Sequence, residues 1–173
     1  MKAKLLLFAP LLVLGCGSHS VVNSTLIAFE HASSIELSVP ASSVKMTIPK
    51  DDLVKMDNTG AKSYRYFIYS GAKSGFTLSG WFEPANQYLG LEKHWTDFLR
   101  SWPGNQPEEV FFSKVDDWET VSYHVQVDAC KLQSIKAFLV HADTWIELHM
   151  TSPCNQSMDL KTYLKKIKIE QKN

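Results

Sequence analysis

Residues 134–141 and 144–150 read as strands, with apolar side chains recurring at 135, 137 and 139 and at 146, 148 and 150, the period of a strand rather than a helix. Joined by a turn at Ala142-Asp143, they make a hairpin in which Leu139 faces Ile146, Ala137 faces Leu148 and Ile135 faces Met150. A slip of one residue would send all six side chains to the other face, so burial on one side specifies this register. Alternation recurs at Ile35, Leu37 and Val39, at Val44, Met46 and Ile48, and at Val121, Tyr123, Val125 and Val127. Residues 64–69 and 76–82 are rich in aromatic and β-favouring side chains, and Gly71 and Gly75 lie between them. They read as a second hairpin, with Phe67 opposite Leu78 and Tyr69 opposite Phe76. Residues 110–115 and 118–127 pair around Asp116-Asp117.

Two segments carry the helical period instead. Leu91, Trp95, Phe98, Leu99 and Trp102 form one stripe, with Glu92, Lys93, Asp97 and Arg100 on the other side and Pro103-Gly104 as a stop. The aromatic stripe reads as packing against a sheet. Near the C-terminus, Leu160, Tyr163, Leu164 and Ile167 form a second stripe, with Ser157 as N-cap. The five lysines from Lys161 to Lys172, spread beside Glu170, then read as the solvated face of that helix. The fold class expected is α+β, a mostly antiparallel β-sheet with two main helices packed on it.

The first residues have a separate logic. Lys2 and Lys4 precede an apolar run over residues 5–14. That run is too short to span a bilayer, which takes about twenty apolar residues, and suits the apolar core of a signal peptide. Val13-Leu14-Gly15-Cys16 follows, and resembles the lipobox of bacterial lipoproteins. The resemblance implies cleavage after Gly15, acylation of the Cys16 thiol and of the new amino group, and a membrane attachment through Cys16. Gly17 in place of Asp points, by the same resemblance, to the periplasmic face of an outer membrane. The division expected is a signal peptide over 1–15, a lipidated cysteine and tether over 16–34, and a single domain over 35–173. Within the tether, residues 26–29 are apolar enough to dock on the domain.

The full chain of 173 residues carries 18 basic and 18 acidic side chains. Removal of residues 1–15 takes Lys2 and Lys4 and no acid, leaving 16 against 18 and a net charge of −2. Nucleic-acid binding has no electrostatic footing in that balance. With Cys16 acylated, Cys130 and Cys154 remain, in a compartment that permits disulfides. Extending the hairpin register puts Lys131 opposite Cys154, so a small irregularity at the open end of the hairpin would join Cys130 to it.

No Gly-x-Ser-x-Gly elbow, His-Glu-x-x-His, phosphate loop or dinucleotide fingerprint is present in the sequence. No enzyme activity, cofactor or metal is expected. The nearest approach to a metal site is His124, Glu147 and His149, which would converge only if their strands were neighbours. Phe138, Val140, Trp145, Glu147 and His149 share one sheet face. Either a helix covers it, with the terminal helix the candidate, or it is an exposed patch that binds a partner.

The order of elements, with Gly75-Phe76-Thr77-Leu78-Ser79-Gly80-Trp81 running into the helix, resembles the PsbP/Mog1-like family over residues 35–170. That resemblance implies a binding or assembly module. The function expected is therefore a non-enzymatic envelope lipoprotein that binds an envelope protein. The alternatives are small-molecule or lipid binding in a groove between sheet and helix, for which Trp81, Trp95, Trp102, Trp118 and Trp145 supply the aromatic lining, and a metal-dependent enzyme using His124, Glu147 and His149.

Overall fold

The computed structural model describes residues 25–57, 65–154 and 158–172. Cys16 and Ser157 lie outside them. Among the described residues, eleven strands form two sheets in which every pairing is antiparallel. The smaller sheet orders β1 (Ile27–Glu30), β2 (Ser34–Ser38), β3 (Val44–Pro49) and β11 (Lys168–Gln171). The larger runs β4 (Leu53–Lys55), β5 (Tyr66–Gly71), β6 (Thr77–Pro84), β10 (Thr144–Ser152), β9 (Cys130–His141), β8 (Trp118–Val127) and β7 (Glu108–Val115). Helix α1 (Leu91–Ser101) lies on the outer face of the larger sheet, and α2 (Leu160–Leu164) fills one end of the space between the sheets.

This is a β-sandwich, and it corrects the expected α+β fold with two main helices. Of the two helices, only α1 is substantial. The alternating segments 35–39 and 44–48 belong to a separate sheet that faces the larger one. Their Ile35, Leu37, Val44, Met46 and Ile48 meet Phe67, Leu78, Ile135, Ala137, Ile146 and Leu148 in one core. The expected terminal helix is cut to five residues, capped by Asp159, whose side chain accepts from the Thr162 N–H. The lysine-rich stretch after it is not a helix face: Ile169 pairs with Met46 and Glu170 with Lys45 in β11. Part of the stretch read as tether is also folded, since residues 27–30 form edge strand β1 against β2.

The β9–β10 register is the one alternation predicts, from Leu139↔Ile146 to Ile135↔Met150. The β5–β6 register differs by two residues, with Tyr69 opposite Leu78 and Phe67 opposite Gly80. The Asp52 carboxylate holds the shifted loop, accepting from the Lys73 and Ser74 N–H groups and from the Ser74 hydroxyl. A two-residue shift preserves which face each side chain occupies. Opposite Leu148, Gly80 lets β6 lie close to β10: a Cβ there would strike the Glu147 carbonyl oxygen and the Phe67 ring.

Cys130 and Cys154 are joined, with Cα atoms 5.6 Å apart. The last paired residue of β10 is Ser152, opposite Gln133. Beyond it Pro153, which lacks an N–H, takes Cys154 out of the ladder and into reach of Cys130.

Candidate functional site

Along β6, β8, β9 and β10, one set of alternate residues faces the core between the sheets and the other faces α1. The α1 face carries Val121, Tyr123 and Val125 from β8, and Trp95 of the helix packs against them, with Phe98, Leu99 and Trp102 at the edge. This seats the helix over β8 and β9. Beside it, towards β10, β6 and β5, the sheet face is open, and a cleft of about 360 Å³ runs along the helix.

One wall of the cleft is helical. His94, Asp97, Phe98 and Ser101 follow the i, i+3, i+4, i+7 spacing and so share a flank of α1. The floor and far wall are strands: Lys136 from β9, Glu147 and His149 from β10, Ser79 and Trp81 from β6, Tyr66 from β5. Tyr66 and Trp81 are cross-strand partners with ring centroids 4.5 Å apart.

At the floor lies an ion pair. The Lys136 ammonium donates to the Glu147 carboxylate, with side-chain exposures of 8% and 14%. The same ammonium sits 4.6 Å from the centre of the Phe98 ring, a cation–π contact in a desolvated place. Register explains the pair: Phe138 is opposite Glu147 and Lys136 opposite His149, so Lys136 and Glu147 are diagonal neighbours on one face.

His149 is held by a buried chain. Its Nε2 lies 2.7 Å from the Tyr123 hydroxyl. The Ser134 hydroxyl also bonds Tyr123 and lies 3.0 Å from the Thr151 hydroxyl. Burial, helped by the nearby Lys136 charge, pushes the His149 imidazole down to about 3. His94 is likewise lowered, first by burial. Both imidazoles are therefore neutral at pH 7, able to donate and accept hydrogen bonds without adding charge. Asp97 is held below the usual carboxylate range, chiefly by its hydrogen bond from Lys93.

The depressed His149 value has a testable sign. At pH 7 the residue is neutral both folded and unfolded. Below its ordinary value near 6.5, the unfolded chain takes up a proton that the folded chain refuses until about pH 3. Stability then falls by up to about 1.4 kcal/mol per pH unit on this account. Relative to His149→Gln, the protein is expected to lose stability faster between pH 6 and pH 4.5 in urea titrations. Identical slopes in the two proteins would show that the imidazole is not kept neutral by the fold.

Phe138 and Trp145, expected on a partner surface, are covered, with exposures of 1% and 6%. Tyr88 and His94 close over them, with His94 to Trp145 ring centroids 4.6 Å apart. The covering helix is α1 with the loop before it, not the terminal helix. Val140 stays outside at 45% exposure, while Glu147 and His149 line the cleft. His124 does not join them. It lies on the opposite sheet face, its Nδ1 2.9 Å from Glu109 Oε2, and β9 separates its strand from β10. Among the described residues no group of three or more His, Cys, Asp or Glu side chains is placed to hold a metal ion.

Sequence reasoning missed Lys136, although a signal existed. It alternates with Ser134 and Phe138, so it had to share the apolar face already assigned to Phe138. Comparison with protein-family models and with curated proteins finds no match to this chain. Among the described residues no helix is long and apolar enough to cross a membrane.

Proposed function

We propose that this chain is a lipid-anchored, non-enzymatic binding protein of the bacterial cell envelope. Cys16 holds it to the membrane, on the periplasmic side, and the cleft along α1 takes its ligand. The observation that carries the binding reading is the cleft floor: a paired buried charge and a buried neutral imidazole at the base of an opening of small-molecule size. Such groups are costly to bury, and they collect where function needs them. The anchor reading rests on Lys2, Lys4, the apolar run and Val13-Leu14-Gly15-Cys16.

The anchor is tested by growing cells on labelled palmitate. The wild-type protein is expected to take up label and Cys16→Ser to take up none. Equal labelling of the two, or none in either, would remove the anchor from this account.

A second reading, a protein-docking or assembly module, is favoured by Phe111 and Phe112. They stand at 63% and 51% exposure on β7, an edge strand of the larger sheet. Exposed apolar edges are places where another chain adds a strand. Photo-crosslinking side chains at Ser101 and at Phe112 separate the readings. Capture of a small molecule from Ser101 supports the cleft, and capture of one envelope protein from Phe112 supports docking.

A further inference from the structure

Every charge that lines the cleft already has a partner within the protein. Lys136 is bound to Glu147, and Asp97 is bound to Lys93 with Arg100 nearby. An ionic ligand at the floor would have to displace Lys136 or Glu147 from its partner and leave a buried charge uncompensated, whereas the Asp97 pair lies at the exposed rim. Uncharged ligands meet no such barrier. The Ser79 hydroxyl, the Ser101 oxygen, whose hydrogen is donated to the Asp97 and Phe98 carbonyls, and the outer sides of the carboxylates are suited to hydroxyl and amide groups.

The aromatic arrangement narrows the class again. A flat heteroaromatic ring would be gripped best between two parallel faces. Here the inner aromatic, Phe98, already has the Lys136 ammonium against its ring. On the other wall, Tyr66 and Trp81 are inclined at 45° to each other. The cleft therefore offers an aromatic surface on one side and hydrogen-bonding groups below. Sugar rings match that division: one face is a patch of C–H bonds, drawn to the negative face of an aromatic ring, and the rim is hydroxyls. The helical wall from His94 to Ser101 is about 10 Å long at 1.5 Å per residue, enough to accept a ring within a chain.

We propose that the cleft along α1 binds an uncharged saccharide, with one ring against Trp81 and Tyr66 and its hydroxyls on Glu147, Ser79 and Ser101. This rests on the reading that the cleft is a ligand site. In the test, the full-length lipidated protein in dodecyldimethylamine-oxide micelles is titrated with chitotetraose, cellotetraose and maltotetraose, with a hyaluronan tetrasaccharide as the acidic comparison. Tryptophan fluorescence is the readout. A saturable change with at least one neutral tetrasaccharide is expected, with binding at least tenfold weaker for the acidic one. Trp81→Ala is expected to weaken it at least tenfold. So is Ser101→Trp, which blocks the cleft from the exposed end of α1 and leaves the floor intact. Native mass spectrometry of the protein as purified from cells runs beside the titration. No response to any neutral saccharide, with a different compound bound to wild type and lost in Ser101→Trp, overturns the saccharide and keeps the cleft. No response and no compound lost in Ser101→Trp overturns both.

Discussion

Lys136→Met is expected to destabilise the protein by about 3–5 kcal/mol, because it strands the Glu147 carboxylate in a place where only 14% of that side chain reaches water. Melting would fall by roughly 10 °C for a chain of this size. The converse change, Glu147→Leu, leaves the ammonium without its counter-ion and is expected to cost a similar amount. Combining the two removes both charges, and the double variant should return to within about 1 kcal/mol of wild type. That recovery separates a buried pair from a surface one, whose single variants would each cost about 0–1 kcal/mol and simply add. If Lys136→Met melts within a degree or two of wild type, water reaches the pair and the cleft floor is not the low-dielectric site described above. A stable double variant has a second use, since it would fold with an apolar floor and should bind its ligand poorly.

The next largest effect is expected from the disulfide. Cys130 and Cys154 close a loop 24 residues apart in sequence, for which chain-entropy arguments give about 3–4 kcal/mol. Cys130→Ser with Cys154→Ser should lose about that much in urea unfolding. Cys154 is exposed, so dithiothreitol should produce the same loss in the wild-type protein and none in the double variant. The bond clamps the open end of the β9–β10 hairpin, next to the strands that carry Lys136, Glu147 and His149. A reduced protein is therefore expected to lose protection from hydrogen exchange first at residues 130–134. Unfolding curves that do not respond to reductant would mean that the bond does not form in the purified protein.

What the sequence made legible was local. Period-two patterning found β8, β9 and β10 and set the β9–β10 register, because a slip would turn Ile135, Leu139, Ile146, Leu148 and Met150 away from the core between the sheets. The helical stripe found α1 for the same reason. The errors lie where pairing is distant or burial is slight. Nothing in the alternation of Ile35, Leu37, Val44 and Met46 says which sheet they join, and the sandwich follows from that choice. β11 buries little: Ile169 is only half-covered, and its neighbours are charged or polar, so Lys168 and Glu170 look like a helix surface. β1, with Phe29 at 57% exposure, looks like a tether for the same reason. The cleft was the least legible part, since β5, β6, β9, β10 and α1 all contribute to it. Glu147 and His149 on β10 were placed from sequence as neighbours of Phe138 and Trp145, and Trp81 on β6 as a groove aromatic, but nothing in the sequence joined them to one flank of α1.

The layers of this protein differ in width. Strands lie about 4.8 Å apart, so seven of them span roughly 30 Å, while four span about half of that. A single helix is about 10–12 Å across. Neither covering layer can roof the whole larger sheet. On one side the shortfall leaves the cleft next to α1. On the other, only the ends of β7 and β8 nearest their turn, Val115 and Trp118, join the core between the sheets, and Phe111 and His124 further along meet water. The cleft and the exposed Phe111 are thus two outcomes of one geometric mismatch, a sheet wider than either layer that covers it.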